Sequence, residues 1–298
     1  MSTTPNLVSD IVNKAAIAIK TGYDTYMPVA DMFFTDVPKE RFAEKFTINA
    51  SDGDIPEVAD DAAFPESEIM ELGSLTLNQA TYKRKYSASQ LAKNYDSEGK
   101  LVKAMMKVGR KGRIKDDRNC ANVFNNGFTT LTTFDGNALF HASHTVDLNG
   151  NTQSNLVSGA LTDTTLNDGI VLLSDLKDHD GLEDPLAAAY LLVPTALEKK
   201  AKELVFSKLD PESANNTTNT HANRGIQVVV WPLLTSTTAW FLVSEKMFNE
   251  LTRVVGDPFD VQVRSGIYTE TNVDEVRLQF SMVAGAPDYR GVTGATGT

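Results

Sequence analysis

The sequence predicts an α+β fold in which one long helix accompanies short alternating helices and strands. Residues 97–126 contain no proline and place apolar side chains at helical spacing, which predicts a helix of several turns. Short apolar runs at Tyr190–Val193 and at 226–232 predict buried strands. Between the predicted elements near residues 46 and 86, an acidic stretch with two prolines predicts a long loop.

Composition excludes several classes of protein. The 298 residues include 28 Lys and Arg against 39 Asp and Glu, a net charge of -11 that argues against a dedicated nucleic-acid binder. The single cysteine, Cys120, cannot form an internal disulfide. Residues 1–10 lack the charge and apolar pattern of a signal peptide, and the apolar runs 187–193 and 228–234 are far shorter than the ~20 residues of a membrane helix. We therefore expect a soluble, cytoplasmic product.

The N-terminal segment predicts an amphipathic helix. Leu7, Ile11, Ala15 and Ala18 recur at helical spacing. Two interpretations remain open at this point: an arm that reaches to another molecule, or a helix docked on its own domain.

Residues 46–86 predict two strands joined by an acidic loop. Phe46 and Ile48, and later Leu75 and Leu77, alternate as strand residues do. The stretch between them has no Lys or Arg, and its acidic residues are Asp52, Asp54, Glu57, Asp60, Asp61, Glu66, Glu68 and Glu71. Such a segment buries too little apolar surface to order alone, so we expect a hairpin that extends away from the core.

The charge reverses over residues 83–118, where twelve basic residues accompany four acidic ones. The basic residues are Lys83, Arg84, Lys85, Lys93, Lys100, Lys103, Lys107, Arg110, Lys111, Arg113, Lys115 and Arg118. We expect one long basic helix, with a bend where Gly109 and Gly112 weaken it.

The opposite charges of the loop and the helix predict a contact, either within one chain or between two copies. The candidate contact residues are Asp54, Glu57, Asp60, Asp61, Glu66 and Glu68 on the loop, with Lys103, Lys107, Arg110, Lys111 and Arg113 on the helix.

The C-terminal half predicts further short elements. Leu166, Ile170, Leu173 and Leu176 form a helical face that begins near Asp163, and Thr195-x-x-Glu198 predicts a capping box for the next helix. Ser244 is expected to cap a short helix that carries Met247, Phe248 and Leu251. Alternating apolar residues after residue 260 predict closing antiparallel strands; they are Val261, Val263, Ile267, Val276, Leu278, Phe280 and Met282. The glycine- and threonine-rich tail, 291–298, is expected to be disordered.

Few residues suggest chemistry. His141 and His144 have the spacing of some metal sites, with Asp135 and Asp147 as further candidate ligands, but they lie in a loop, so structural roles are favoured. The acidic run 175–184 misses the EF-hand pattern. Cys120 falls in the apolar stripe, which favours a buried, inert thiol. With no nucleophile elbow or P-loop, we expect no catalytic residue, no metal and no cofactor.

Residues 134–148, FDGNALFHASHTVDL, resemble the Asp-Gly-x-x-Leu-Phe-x-x-x-His signature of Mu-like major head subunits. Asn155-Leu156 follows as in that family, and the stretch from Asp184-Pro185 through Tyr190–Val193 to Leu197-Glu198-Lys199-Lys200-Ala201 resembles its strand-proline-helix region. The order of elements is similar to that of HK97-fold major capsid proteins of tailed bacteriophages over most of the chain.

The resemblance implies names and limits for the segments. It assigns an N-terminal arm to 1–45, an extended loop (E-loop) to 46–86, and the spine helix with the first part of a peripheral P-domain to 87–182. An axial A-domain would span 183–256, closing P-domain strands 257–290, and a flexible tail 291–298.

The resemblance also implies a function without catalysis. Copies would form pentamers and hexamers of an icosahedral head that encloses double-stranded DNA, assembled in the host bacterial cytoplasm without a membrane. Implied partners are a portal, a scaffold or maturation protease, decoration proteins, and packaged DNA held without sequence specificity. No protease domain is recognisable in this chain, and no cross-linking Lys and Asn pair can be assigned.

Three alternatives remain beside the capsid interpretation. The same fold serves encapsulin-like compartments that store a cargo enzyme. A metal-dependent hydrolase would use His141 and His144. Another phage structural part, such as a tail tube subunit, would form stacked rings or tubes.

Overall fold

The computed structural model describes residues 4–38, 43–51, 54–61, 63–89, 99–208, 218–264 and 273–298. Within these ranges, the helices are α1 (Thr4–Asp24), α2 (Lys100–Asn125), α3 (Asp163–Ser174) and α4 (Glu198–Phe206). The strands are β1 (Thr35–Pro38), β2 (Ala43–Ala50), β3 (Met70–Asn78), β4 (Ala80–Ser89), β5 (His144–Thr145), β6 (Thr152–Gln153), β7 (Leu156–Val157), β8 (Tyr190–Val193), β9 (Gln227–Val230), β10 (Trp240–Val243), β11 (Thr252–Val255), β12 (Asp260–Arg264), β13 (Val273–Gly285) and β14 (Val292–Ala295). The predicted α+β class is confirmed.

One sheet is built around the long strand β13. Its strand order is β1-β11-β13-β12, and β4 also pairs with β13 in antiparallel register from Val273 opposite Ser89 to Met282 opposite Ala80. The antiparallel pairing of β12 with β13 confirms the predicted closing strands, although the expected strand residue Ile267 lies outside the described residues.

A second sheet has the order β7-β14-β10-β8-β9. Strands β8 and β10 consist almost wholly of buried apolar residues, as expected for strands covered on both faces. Helices α3 and α4 pack against this sheet through Leu166, Ala201 and Leu204.

Helix α2 runs unbroken beside the first sheet and ends in the main core. Its buried residues Cys120, Val123 and Phe124 contact an aromatic cluster that includes Phe33 and Trp231. The predicted long helix is confirmed from Lys100 onward, while the expected start at residue 97 lies outside the described residues.

Helix α1 docks on α2 of the same chain, which decides between the two interpretations of the N-terminal helix. A Cβ atom on Gly109 would lie 1.9 Å from the carbonyl oxygen of Ile19, and one on Gly22 would lie 2.0 Å from that of Met106. The two backbones therefore touch where both helices lack a side chain. Gly109 serves this crossing, and the helix continues through it without a break; the expected bend stays a prediction.

Two capping predictions are wrong. The 3₁₀ turn Thr195–Leu197 precedes α4, so Leu197 is the N-cap of that helix in place of Thr195. No side-chain capping hydrogen bond is formed there, and Thr195 does not form the expected box. No helix follows Ser244; the segment turns instead, and Met247 and Phe248 are exposed. A capping box does open α3, formed by Thr162 and Thr165; the N-cap Thr162 lies one residue before the predicted start near Asp163.

The expected disordered tail is instead an ordered central strand. Strand β14 pairs antiparallel with β10 and parallel with β7, and Val292, Thr293 and Ala295 are fully buried. Small residues there allow close packing: a Cβ on Gly294 would lie 2.8 Å from the ring of Phe140.

The expected domain limits do not coincide with the two sheets. Strand β7, assigned by resemblance to the P-domain, lies in the second sheet with β8 and β10, because β14 bridges them. Strand β11, assigned to the A-domain, pairs with β13 and β1 in the first sheet. The peripheral and axial positions of these sheets within a ring stay predictions.

Candidate assembly surfaces

The acidic segment, residues 51–69, extends from a two-stranded hairpin. Strands β2 and β3 pair in antiparallel register and are also linked by an ion pair between Lys45 Nζ and Glu71 Oε1 at 3.0 Å. This confirms the predicted strands. The candidate residues Asp54, Glu57, Asp60, Asp61, Glu66 and Glu68 are all exposed, and Asp52 lies outside the described residues.

Four of the five candidate cations form an exposed basic face on α2, consisting of Lys103, Lys107, Arg110 and Lys111. In the part of the chain that the structure describes, these four cations form no ion pair, and neither do the six candidate carboxyl groups. The two charged surfaces are therefore not neutralised by one another within one chain.

Arg113, the fifth candidate cation, is already engaged within its own chain. Its guanidinium lies 2.9 Å from Asp31 Oδ2, 3.0 Å from Asp116 Oδ2 and 3.1 Å from the Tyr23 hydroxyl, and its side chain is only 22% exposed. The contact of Arg113 with the acidic segment stays a prediction, and the exposed basic face does not include it.

Arg113 belongs to an ionic cluster that ties α1 and β1 to α2 and β11. Arg253, on β11, donates to Asp36 at 2.6 and 2.8 Å and to Asp116 at 3.3 Å. Burial raises the pKa of Asp116, although Arg253 and Arg113 oppose the shift. Burial would raise the pKa of Asp36, but the hydrogen bonds and the charge of Arg253, with the more distant cations, together outweigh burial and lower it.

Asp117 is a structural residue that the sequence reasoning missed. Its fully buried carboxyl group accepts hydrogen bonds from the Tyr26 hydroxyl at 2.7 Å, the Ala30 amide at 3.1 Å and the Trp231 indole at 3.2 Å. The residue joins the chain after α1, the helix α2 and the segment after β9. The spacing of Asp117 could have revealed it: the residue lies three positions before Cys120, on the apolar face of the helix, which predicts a buried carboxyl group.

The histidine pair has a structural role. His144 is fully buried, its Nδ1 lies 2.9 Å from Asp135 Oδ2, and its Nε2 lies 3.2 Å from the Leu139 carbonyl oxygen. Tyr289 stacks on the His144 ring at 3.9 Å. His141 Nδ1 accepts from a backbone amide two residues later.

Asp147, the other candidate ligand, caps its own turn by accepting from the Asn149 and Asn151 amides. Among the described residues, no group of three metal-ligating side chains is present.

Three carboxyl groups of the acidic run 175–184 are also used in structural contacts. Asp178 accepts from the amides of Asp180 and Leu182, and Asp180 accepts from the Ser51 amide at the base of the acidic segment. Asp184 pairs with Arg290.

His179, within the same run, lies 2.7 Å from Asp288 Oδ2. Burial opposes the shift, but this hydrogen bond and the Asp288 charge raise the pKa of His179.

The Cys120 thiol is fully buried, which confirms its predicted placement, and burial raises its pKa. A raised pKa disfavours the reactive thiolate. Among the described helices, none has the length and apolar character required to cross a bilayer.

Comparison with solved structures identifies similar folds. The virus-like particle from Pyrococcus furiosus is 13% identical with a TM-score of 0.54, over 95% of this chain and 98% of that one. The mature capsid of bacteriophage PhiM1 is 11% identical with a TM-score of 0.58, over 91% and 87% of the two chains. The capsid of the native GTA particle is 11% identical with a TM-score of 0.58, over 92% and 89%.

No curated protein matches the sequence. A sequence family does: the model of the family described as phage capsid protein matches residues 74–295. That match covers most of the chain, including α2, the second sheet and all of the first sheet except β1, and the similar structures have the HK97 capsid fold. The chain therefore belongs to the phage capsid protein family and is a structural protein of the phage head.

Proposed function

We propose that copies of this chain close into pentamers and hexamers of an icosahedral head that encloses double-stranded DNA. The acidic segment of each copy lies over the basic face of α2 in the next copy. Such head-to-tail contacts close into rings when the rotation between neighbours permits it. One observation carries the proposal: both charged surfaces are exposed and unpaired within the described chain.

The energetics of a ring suit contacts of this kind. A single exposed ion pair contributes only about 0–1 kcal/mol, so no one pair holds two subunits together. Each subunit in a closed ring both donates and receives an acidic segment. Because these contacts are linked, the ring is held more tightly than any single contact would hold two subunits. Complementary charge sets the register and suppresses wrong pairings more than it raises affinity.

The net charge of -11 suits a wall around DNA. Strong binding to phosphates would oppose movement of DNA, because each contact adds salt-dependent affinity. We extend the proposal to assembly in the host cytoplasm with a portal, a scaffold or maturation protease, and decoration proteins. One similar structure is described as a capsid decorated with minor capsid protein trimers.

Charge reversal on the acidic segment tests the proposal. The double variant Asp60→Lys with Asp61→Lys should fold normally, because both side chains are exposed, yet should form few closed shells in negative-stain electron microscopy. The matched control is Asp168→Lys with Asp175→Lys, which makes the same charge change at two exposed positions on and after α3.

The control variant is expected to assemble like the parent chain. Normal shells from the Asp60 and Asp61 variant would contradict the proposed contact. A parent chain that stays monomeric at every concentration would contradict assembly itself.

The compartment alternative shares the fold, so similarity of fold does not separate it from a phage head. The contents of particles purified from their natural source separate the two. Double-stranded DNA inside the shell supports the head, whereas a stoichiometric protein cargo without DNA supports a compartment.

A further inference from the structure

A groove of about 550 Å³ lies between α2 and the sheet formed by β4 and β13. Its floor is apolar and largely aromatic, formed by Tyr82, Tyr86, Val108, Phe259, Leu278 and Phe280. Its rim is cationic, formed by Lys83, Arg84, Lys111 and Lys115. Its volume falls within the ~300–1,000 Å³ of typical ligand sites, which is enough for an aromatic side chain and its neighbours.

The groove is shaped by packing within its walls. Tyr82 stacks on Phe280 with ring centroids 5.0 Å apart, and the Lys115 ammonium lies 4.9 Å from the Tyr82 ring centroid. Gly112 has no side chain, and a Cβ there would lie 2.8 Å from the ring of Phe259. The floor is therefore fixed by stacked rings, and at least one rim cation is held over it.

The acidic segment carries the complementary pattern. Phe64 is 95% exposed, Ile55 is 92% exposed and Ile69 is 76% exposed. Carboxyl groups flank Phe64 on both sides, with Asp60 and Asp61 before it and Glu66 and Glu68 after it. A large exposed aromatic between carboxyl groups matches an apolar floor beneath a cationic rim in both polarity and charge.

We propose that Phe64 of one copy inserts into this groove of a second copy, with its flanking carboxyl groups over the cationic rim. This rests on the proposed function and adds to it the residue that anchors the contact and the place that receives it. Interfaces commonly concentrate their binding energy on such buried aromatic anchors. Within a single chain Phe64 is almost wholly exposed, so it does not occupy the groove of its own subunit.

Nucleic acid is the competing occupant, because its phosphates would also satisfy the rim. The acidic segment fits better than double-stranded DNA, since it supplies an apolar anchor and negative charge from one short stretch, whereas a duplex keeps its bases inside the stack and offers the groove only phosphates. A chain of net charge -11 also repels a polyanion over most of its surface.

Cross-linking of two separately purified variants tests the proposal. Ala63→Cys, which leaves Phe64 in place, is mixed with Lys111→Cys under assembly conditions and then oxidised. The native Cys120 does not interfere, because its thiol is fully buried. The matched control mixes Ala63→Cys with Lys199→Cys, whose side chain is 89% exposed on α4. We expect at least ten-fold more disulfide-linked heterodimer from the Ala63 and Lys111 pair than from the control.

The outcomes separate this inference from the proposed function. Shells that form with no cross-linking above the control overturn the inference and leave assembly intact. A second measurement places both cysteines of the tested pair in one chain. If that chain forms only an internal disulfide, the inference is overturned as well, since the segment would then dock on its own subunit. If DNA copurifies with the protein and is displaced by Lys111→Glu with Lys115→Glu, the groove holds nucleic acid and the inference fails. If the parent chain yields no assembly of any kind under the same conditions, the proposed function fails with it.

Discussion

The buried carboxyl group of Asp117 shows how one residue can hold three elements together. A buried polar group is tolerated only when hydrogen bonds replace those lost to water. Here three donors converge on it, from Tyr26, Ala30 and Trp231. Asp117 therefore determines how the chain after α1 crosses the core, although in the sequence it is one acid within a basic run.

Replacing Asp117 by Ala should destabilise the subunit by about 3 kcal/mol or more, because each buried donor left without an acceptor costs about 1–3 kcal/mol. Urea unfolding of the unassembled subunit measures this loss. The control is Arg118→Ala at the exposed next position, which should change stability by no more than ~0.5 kcal/mol. Similar effects from the two variants would mean that Asp117 is not the connecting residue.

His179 makes stability depend on pH in a defined direction. Its pKa is raised in the folded chain by Asp288, so folding favours the protonated ring. The contribution is complete below the unfolded pKa of about 6.5, and it is lost as the pH rises through the raised folded pKa. The stability difference between the parent chain and His179→Gln should therefore be larger at acid than at alkaline pH.

Chemical denaturation of both chains across that pH range measures the difference. Asp288→Asn serves as the comparison, since removing the partner should abolish the same pH dependence. A difference that is constant with pH, or that grows toward alkaline pH, would contradict the assignment to this pair.

At the scale of elements, the crossing of α1 and α2 depends on the absence of two side chains. Gly109 and Gly22 bring the backbones into contact, so a methyl group at either position must push the helices apart. Alanine is favoured over glycine within a helix by about 1 kcal/mol, and the crossing must therefore outweigh that preference.

Gly109→Ala should release α1 from α2 and destabilise the subunit by roughly 1–3 kcal/mol, the usual cost of overpacking. Tryptic cleavage after Lys20 should become faster, because that exposed side chain follows the point of contact. Lys107→Ala, on the exposed face of α2, is the control, because it places no new atom against α1. Equal cleavage rates for the two variants would contradict the proposed role of Gly109.

The elements that the sequence predicts well are those with a strong local pattern. Helix α2 and the β2–β3 hairpin follow from spacing and charge alone, and β13 follows from its alternation. The tail strand β14 could not be predicted in this way. Only four residues long, it includes Gly294 and Ala295, two residue types that are depleted in strands, and its order depends on β10 and β7, which lie on either side of it.

The candidate assembly surfaces likewise include features that local sequence predicts and features that depend on contacts between distant residues. Exposure of the acidic segment follows from its composition, since it cannot bury itself. The engagement of Arg113 could not be predicted, because its partner Asp31 lies far away in sequence and meets it only after α1 docks. The groove could not be predicted either, because its floor is formed by residues from β4, α2 and β13 and by Phe259, which are far apart in sequence.

At the scale of the whole molecule, the unpaired charges predict that assembly depends on salt. Raising the ionic strength from 0.1 M to 1 M shortens the screening length from about 10 Å to about 3 Å, which weakens contacts between exposed charges most. A shell held only by apolar contacts would not be weakened by this change.

An exchange of charges separates this electrostatic contact from general damage to the surface. Lys107→Glu with Lys111→Glu should impair shells as Asp60→Lys with Asp61→Lys does, since each change places like charges together across the contact. Combining all four changes restores opposite charges with the polarity inverted, so closed shells should return in part. Light scattering at low salt, with electron microscopy of the same samples, measures the recovery. If the assembly defect of the quadruple variant equals the sum of the defects of the two double variants, the two surfaces act independently and do not meet.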